Sequence, residues 1–257
     1  MSDSSLTPLD PALFAQGPAR DSRFTVVEHW DECIRFGKGH PEKDIEFFHR
    51  QMHEELCSVE NAARNLSDFP DAPWEVRLSI ARQCSDEARH VLMFRELCEQ
   101  RGGKLGSWPV MDFQYRICTN IKTLIGRLSV QNRTFEAGGI DAVTAAINEA
   151  RDSGDSELAR LYEMQAADEI QHVRFANEWI RAEARKSPRA ILQMAAALHA
   201  GVEAFRQVMG DEAVKVEYGA DSAGRREAGF NEEEIRAAAE HGDERLRELN
   251  RPGAETN

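Results

Sequence analysis

The chain is poor in residues that interrupt helices, with 9 prolines and 17 glycines among 257 positions. Aromatic residues make up only 7%, while Ala, Glu, Arg and Leu abound, side chains that lose little rotamer freedom in a helix. A sheet-rich fold is disfavoured and an all-α class is expected. No apolar run approaches the roughly 20 residues that cross a bilayer. The opening MSDSSLTPLDPALFAQGPAR lacks the basic start and apolar stretch of a secretory signal. Positive charge is scarce too: 32 Lys and Arg stand against 45 Asp and Glu, a net charge of -13. Nucleic-acid surfaces gain affinity by replacing phosphate counterions with basic side chains, so this balance disfavours one, and Lys104, Arg185, Lys186 and Arg189 read as solvated helix surface. Five cysteines, Cys33, Cys57, Cys84, Cys98 and Cys118, form no CxxC pair and read as reduced, mostly buried thiols of a cytoplasmic protein.

Three segments are expected. Residues 1–43 form an extended or disordered arm followed by a short helix or strap over 24–36; residues 44–186 form a bundle of four amphipathic helices; residues 187–257 form a helical extension with a mobile end. Helix 1, with Asp44 as N-cap, carries the stripe Ile45, Phe48, Met52, Leu56, Val59, Ala63 and Leu66 and ends at DFPDAP. Pro73 opens helix 2, whose stripe is Val76, Ile80, Cys84, Glu87, Val91, Phe94 and Cys98, and Arg101-Gly102-Gly103 stops it. GGKLGSWPVMDFQ is a long crossover. Helix 3 is one continuous element with Ile117, Ile121, Leu124, Leu128, Asn132, Glu136, Ile140 and Val143 on its apolar face. After the turn RDSGDS, helix 4 shows Leu158, Leu161, Gln165, Glu169, His172, Ala176 and Trp179. A fifth helix over 189–209 buries Ile191, Met194, Ala195, Leu198 and Val202; residues 210–229 are mobile, and FNEEEIRAAAEHGDERLREL forms one more surface helix.

Within these stripes stand DEARH at 86–90 and DEIQH at 168–172, two copies of Asp-Glu-x-x-His with their glutamates 82 residues apart. Helical geometry projects Glu87 with His90 and Glu169 with His172. An ionised carboxylate buried on an apolar stripe costs several kcal/mol unless a cation compensates, so the pattern points to bound metal. Glu136 on helix 3, followed by Ala137-Gly138-Gly139, supplies a further carboxylate, the small residues letting a neighbouring helix approach. Helix 1 offers two. Glu60, followed by Asn61-Ala62-Ala63, is preferred as the equivalent of Glu136. Glu55 is the alternative: it lies 32 residues before Glu87, as Glu136 lies 33 before Glu169. Positions 55 and 60 are about 140° apart on an ideal helix, so both face one point only through a bulge. Asp86 and Asp168 are placed to accept the outer N–H of a ligating histidine, or to be solvated. His53, His199 and His241 have no partner at metal spacing, and Trp108, Tyr115 and Tyr162 read as packing residues.

One glutamate from each of two helices and Glu-x-x-His from each of the other two is the ligand set of dimetal carboxylate bundles. From Ile45 to Arg185 the chain resembles the ferritin-like di-iron carboxylate superfamily. HEELCSVEN at 53–61, DEARHVLMF at 86–94, GGKLGSWPVMDF at 102–113, RTFEAGGID at 133–141 and DEIQHVRFANEWI at 168–180 resemble, more narrowly, a bacterial ferritin-like family without an assigned general function. The resemblance implies a four-helix bundle with a metal pair held by Glu60, Glu87, His90, Glu136, Glu169 and His172. The family pattern also holds the glutamate matched by Glu55, and where it commonly has a second histidine beside the one matched by His53 this chain has Glu54.

The leading expectation is a dioxygen-activating non-haem di-iron oxidoreductase, of hydroxylase, desaturase or N-oxygenase type, acting on a small organic molecule. Two iron ions are the expected cofactor by superfamily habit, with Mn/Fe or Mn/Mn as alternatives since N/O ligands accept both; dioxygen is the cosubstrate and a reductase the electron donor. Two rivals remain. A ferroxidase or storage protein would assemble into a large shell, whereas an enzyme would be a monomer or homodimer. A tRNA-modifying hydroxylase would need a local basic face on an acidic chain.

Overall fold

A computed structural model describes residues 6–37, 39–210, 212 and 219–249, the stretch 241–249 by its backbone alone. Residues 1–5 of the arm, 213–218 of the stretch expected to be mobile, the side chain of His241 and the end of the chain at 250–257 lie outside the described residues. The chain is mostly helical, and its strands among the described residues are one parallel pair, β1 (Val26–Val27) and β2 (Val110–Met111). No helix among them is long and apolar enough to cross a membrane. All five cysteines are free, and Cys57, Cys98 and Cys118 are buried. The fold divides into two units, Met1–Arg127 with Ala195–Ala213, and Leu128–Met194 with Val214–Asn257.

The first unit is built on a hairpin of α1 (Lys43–Asp68) and α2 (Trp74–Gln100). The chain turns through Pro70–Pro73, and α2 ends at Arg101 with Gly102 in the left-handed region, φ +88°, the conformation in which glycine carries no Cβ penalty. Phe48 and Phe94 stack across the hairpin with centroids 6.2 Å apart, each buried and contributing about 1.5–3 kcal/mol. The buried face of α1 is rotated from the expected stripe: Ala63 is exposed, and Phe48, Met52, Glu55, Ser58 and Ala62 face inward.

The crossover after α2 is tied to α1, because the Gly106 N–H donates to His49 Nε2 at 2.9 Å. Gly106 has φ +81°, and a Cβ there would lie 2.1 Å from the Arg23 carbonyl oxygen, so close approach and conformation both require glycine. That contact sits just before β2, which pairs with β1 from the strap. The arm ahead of the strap is pinned: Phe14 is buried, Ala15 exchanges hydrogen bonds with Arg116, and Asn120 donates to the Ala12 carbonyl at 2.7 Å.

The expected continuous helix 3 is three pieces. Between α3 (Phe113–Asn120) and α4 (Leu124–Val130) the chain is extended at Ile121, φ -71° and ψ 130°. Arg127 holds this break. Its buried guanidinium donates to the carbonyls of Ile121 (2.9 Å) and Thr119 (3.2 Å), to Asn65 (3.2 Å) and to Asp68 (2.7 Å), satisfying carbonyls that a helix would have paired internally. After α4 comes a π-helical segment, Gln131–Glu136, continuing into α5 (Ala137–Asp152). The Thr134 hydroxyl donates to the Ser129 carbonyl, 3.0 Å away and five residues back.

The second unit is built on α5 and α6 (Ser156–Lys186), joined by a tight turn in which Gly154 has φ +81° and Asp155 accepts from the Leu158 N–H. Its core contains Ala137, Ile140, Val173, Ala228, Phe230 and Ile235. The stretch expected to be mobile contains a short helix, α8 (Ser222–Glu227), clamped by Asp141, which accepts from the Asp221 N–H at 2.8 Å and from the Arg225 guanidinium at 2.5 Å. The surface helix α9 (Glu232–Leu249) follows. α7 (Pro188–Met209) corrects the reading of the fifth helix. Ile191 and Val202 are 53% and 47% exposed, and the buried positions are Ala190, Ala197, Gly201, Ala204 and Val208. Small residues let this face pack tightly: a Cβ on Gly126 would stand 2.9 Å from that of Ala197.

Candidate metal centre

In the first unit, Glu55 projects from α1, and Glu87 and His90 project from successive turns of α2. All three are buried, Glu87 completely. One ligand atom from each lies within 4.8 Å of the others. His90 Nδ1 is 3.1 Å from Glu87 Oε2 and 3.6 Å from Glu55 Oε2. Gln83, one turn earlier on α2 and also buried, donates to Glu87 Oε1 at 3.1 Å. Two carboxylates thus share this space with one imidazole.

The second unit repeats the arrangement with Glu136, Glu169 and His172, buried likewise and mutually within 4.8 Å. His172 Nδ1 is 3.4 Å from Glu169 Oε2 and 3.9 Å from Glu136 Oε2. Gln165 donates to Glu169 Oε1 at 3.5 Å, and Gln131 to Glu136 Oε1 at 2.6 Å. Residues five apart diverge by about 140° on an α-helix; the wider π-turn brings Gln131 and Glu136 together. Asn132, within the same turn, donates to the His172 carbonyl at 3.0 Å and so ties α6 to the segment that carries Glu136. The small residues after Glu136 do not act as expected. Only Ala137 enters the core, while a Cβ on Gly138 or Gly139 would meet nothing within 4 Å.

Glu60, the residue preferred from sequence on helix 1, is placed elsewhere. Its side chain is 27% exposed and its Oε1 lies 2.6 Å from Arg20 Nη1. Arg20 reaches in from the arm and also donates to His53 Nε2 at 2.9 Å and to Cys57 Sγ at 3.4 Å. Burial, reinforced by the Arg20 charge, pulls the His53 pKa down to about 3, and burial pushes the Cys57 thiol up to about 12. His53 is therefore a neutral acceptor in an arginine clamp. The five-residue offset that separates Glu60 from Glu55 turns Glu60 toward the arm and Glu55 toward His90.

Of the two aspartates expected to orient histidines, Asp86 is buried, with Arg89 Nη2 at 2.5 Å and Arg82 Nε at 3.4 Å. Asp168 is half-buried. Tyr115 and Tyr162 are buried, and Trp108 packs edge-on against His49. His199 is exposed. The residues that sequence reasoning missed are Gln83, Gln131, Gln165 and Arg20. Gln83 and Gln165 were marked by their position four residues before each Glu-x-x-His glutamate.

Each triad fits a divalent cation. Its donors are hard carboxylate oxygens and an imidazole nitrogen, buried and close together, a set that suits iron, manganese or zinc. Buried Glu and His groups that can hold a metal ion are thus present in both units. No curated protein and no solved structure matches the chain. Residues 3–236, nearly the whole length, match the family described as protein of unknown function DUF455, and the chain belongs to that family.

Proposed function

We propose that the two triads hold one iron ion each, that the chain is a di-iron protein of the ferritin-like kind, and that it is a dioxygen-dependent oxidoreductase acting on a small organic molecule. The observation that carries this reading is the repetition of one buried two-carboxylate, one-histidine triad on two helix hairpins. Four glutamates and two histidines are the ligand set of the dimetal carboxylate bundles, with Glu55 in the helix 1 role. Iron held by these residues would supply the redox chemistry that dioxygen and a nearby substrate need.

The chain's own residues do the rest. Glu55, Glu87, Glu136 and Glu169 present carboxylate oxygens, and His90 and His172 present Nδ1. On the same helices as the donors, Ile80 and Phe94 of α2 and Val173 and Ala176 of α6 are buried. Repeated turnover calls for an electron-donating reductase. Anaerobic loading with ferrous iron, followed by dioxygen and watched by optical and Mössbauer spectroscopy, tests the reading. Two magnetically coupled ferric ions per chain are expected, and one iron, or two that never couple, would refute it.

A further inference from the structure

Three glutamates of the triads share a feature that the ligand set does not require. Gln83 donates to Glu87 Oε1 at 3.1 Å, Gln165 to Glu169 Oε1 at 3.5 Å and Gln131 to Glu136 Oε1 at 2.6 Å. In each case the other oxygen, Oε2, faces histidine Nδ1, at 3.1, 3.4 and 3.9 Å respectively. The amides are buried, and because an ionised carboxylate only accepts, the NH₂ end of each must face it. A buried amide costs free energy unless bonded, so three of them against three acidic side chains is not idle packing. Gln83 and Gln165 do so across one α-helical turn, whereas Gln131 needs the π-turn. The same contact reached through two backbone geometries points to the contact itself.

We infer that Gln83, Gln131 and Gln165 are positioning residues that bond to Oε1 of Glu87, Glu136 and Glu169 and so oppose chelation of a single ion by both oxygens of any one carboxylate. This rests on the metal reading proposed above. A free carboxylate can chelate one ion with both oxygens; an amide tied to Oε1 opposes that and keeps a coordination position open for an exogenous ligand.

The test uses the full chain with Zn(II) as probe, comparing wild type with Gln83→Met and Gln165→Met, which keep volume and remove the donor. Where methionine prevents folding, as judged by circular dichroism, Gln83→Asn or Gln165→Asn keeps an amide too short to reach. Difference infrared spectra on Zn(II) binding report the ligation mode, because the gap between antisymmetric and symmetric carboxylate stretches is wide for one-oxygen binding and narrow for chelation. Each variant is expected to gain a narrow-gap component absent from wild type and to bind Zn(II) roughly 10–100-fold more weakly, the usual effect of removing a partner of a metal ligand. A merely structural glutamine would not move the infrared bands. Wild-type-like bands and affinity in the variants would overturn this inference and leave the metal reading standing; a wild type that binds no Zn(II) would overturn both.

Discussion

Two substitutions on α1, five residues apart, should act in opposite directions. Glu60→Gln removes the charge that Arg20 meets at 2.6 Å, while the Arg20 side chain is only 7% exposed. A hydrogen bond to a charged group contributes about 1.5–3 kcal/mol net. With Glu60 a quarter exposed, solvent screens part of this, and a loss of about 2 kcal/mol is expected. At roughly 2–4 °C per kcal/mol for a chain of this size, the metal-free protein should melt about 4–8 °C lower. Its metal affinity should stay within threefold of wild type, because Glu60 points to the arm. Glu55→Gln removes one of two carboxylates facing His90. Its metal-free stability should hold, while Zn(II) affinity falls beyond the roughly 100-fold seen for partners of ligands. Thermal melts with and without chelator, paired with calorimetric titration, separate the two effects. If Glu60→Gln abolishes metal binding and Glu55→Gln preserves it, the placement of α1 is wrong.

Three further outcomes are expected. His49 accepts from Gly106 through Nε2 and is held neutral, its pKa pulled down to about 4 by burial. The unfolded chain takes up a proton near pH 6.5 that the native state refuses, so stability is full above that pH and falls by about 1.4 kcal/mol per unit toward pH 4. Urea melts of His49→Gln between pH 4 and 7 should show a slope shallower by about that amount, and an unchanged slope would count against this account. Arg127→Met leaves the Thr119 and Ile121 carbonyls without their donor and Asp68 with Arg64 alone; a loss of about 3–5 kcal/mol is expected from chemical denaturation, and a loss below 1 kcal/mol would mean that the helix break stands without it. Arg225→Ala breaks the clamp on Asp141, whose partners are both largely buried. Limited proteolysis should then cut near α8, and wild-type resistance would show that the clamp is not what holds this helix.

The Glu-x-x-His pairs were legible because helical geometry alone joins positions three apart, and the structure brings each pair together. The choice on helix 1 was not, because Glu55 and Glu60 both lie near apolar positions, and what separates them is Arg20, a residue 40 positions earlier whose contact no local pattern encodes. The inward face of α1 was still readable in principle: Glu55 is three after Met52 and seven before Ala62, both buried. On α7 residue size is a misleading signal, because Ile191 and Val202 are exposed and the face that packs is mostly alanine. The break at Ile121 escaped notice because Arg127 repairs it from six residues away. The all-helical class was carried by composition.

The π-turn did leave a trace in the sequence. Leu128, Asn132, Glu136 and Ile140 are all buried and spaced by four. Over those twelve residues a straight α-helix would drift by about 120°, so the spacing fits only if the backbone winds more slowly somewhere between them. The segment holds in effect one residue more than a helix needs. Loss of a single codon between positions 131 and 136 would therefore leave an ordinary helix, with no change in helical content, while turning everything beyond it by about 100° relative to what precedes it. At this point in the chain the information lies in the number of residues as much as in their identity, and a deletion scan would find there a lesion that helical content does not report.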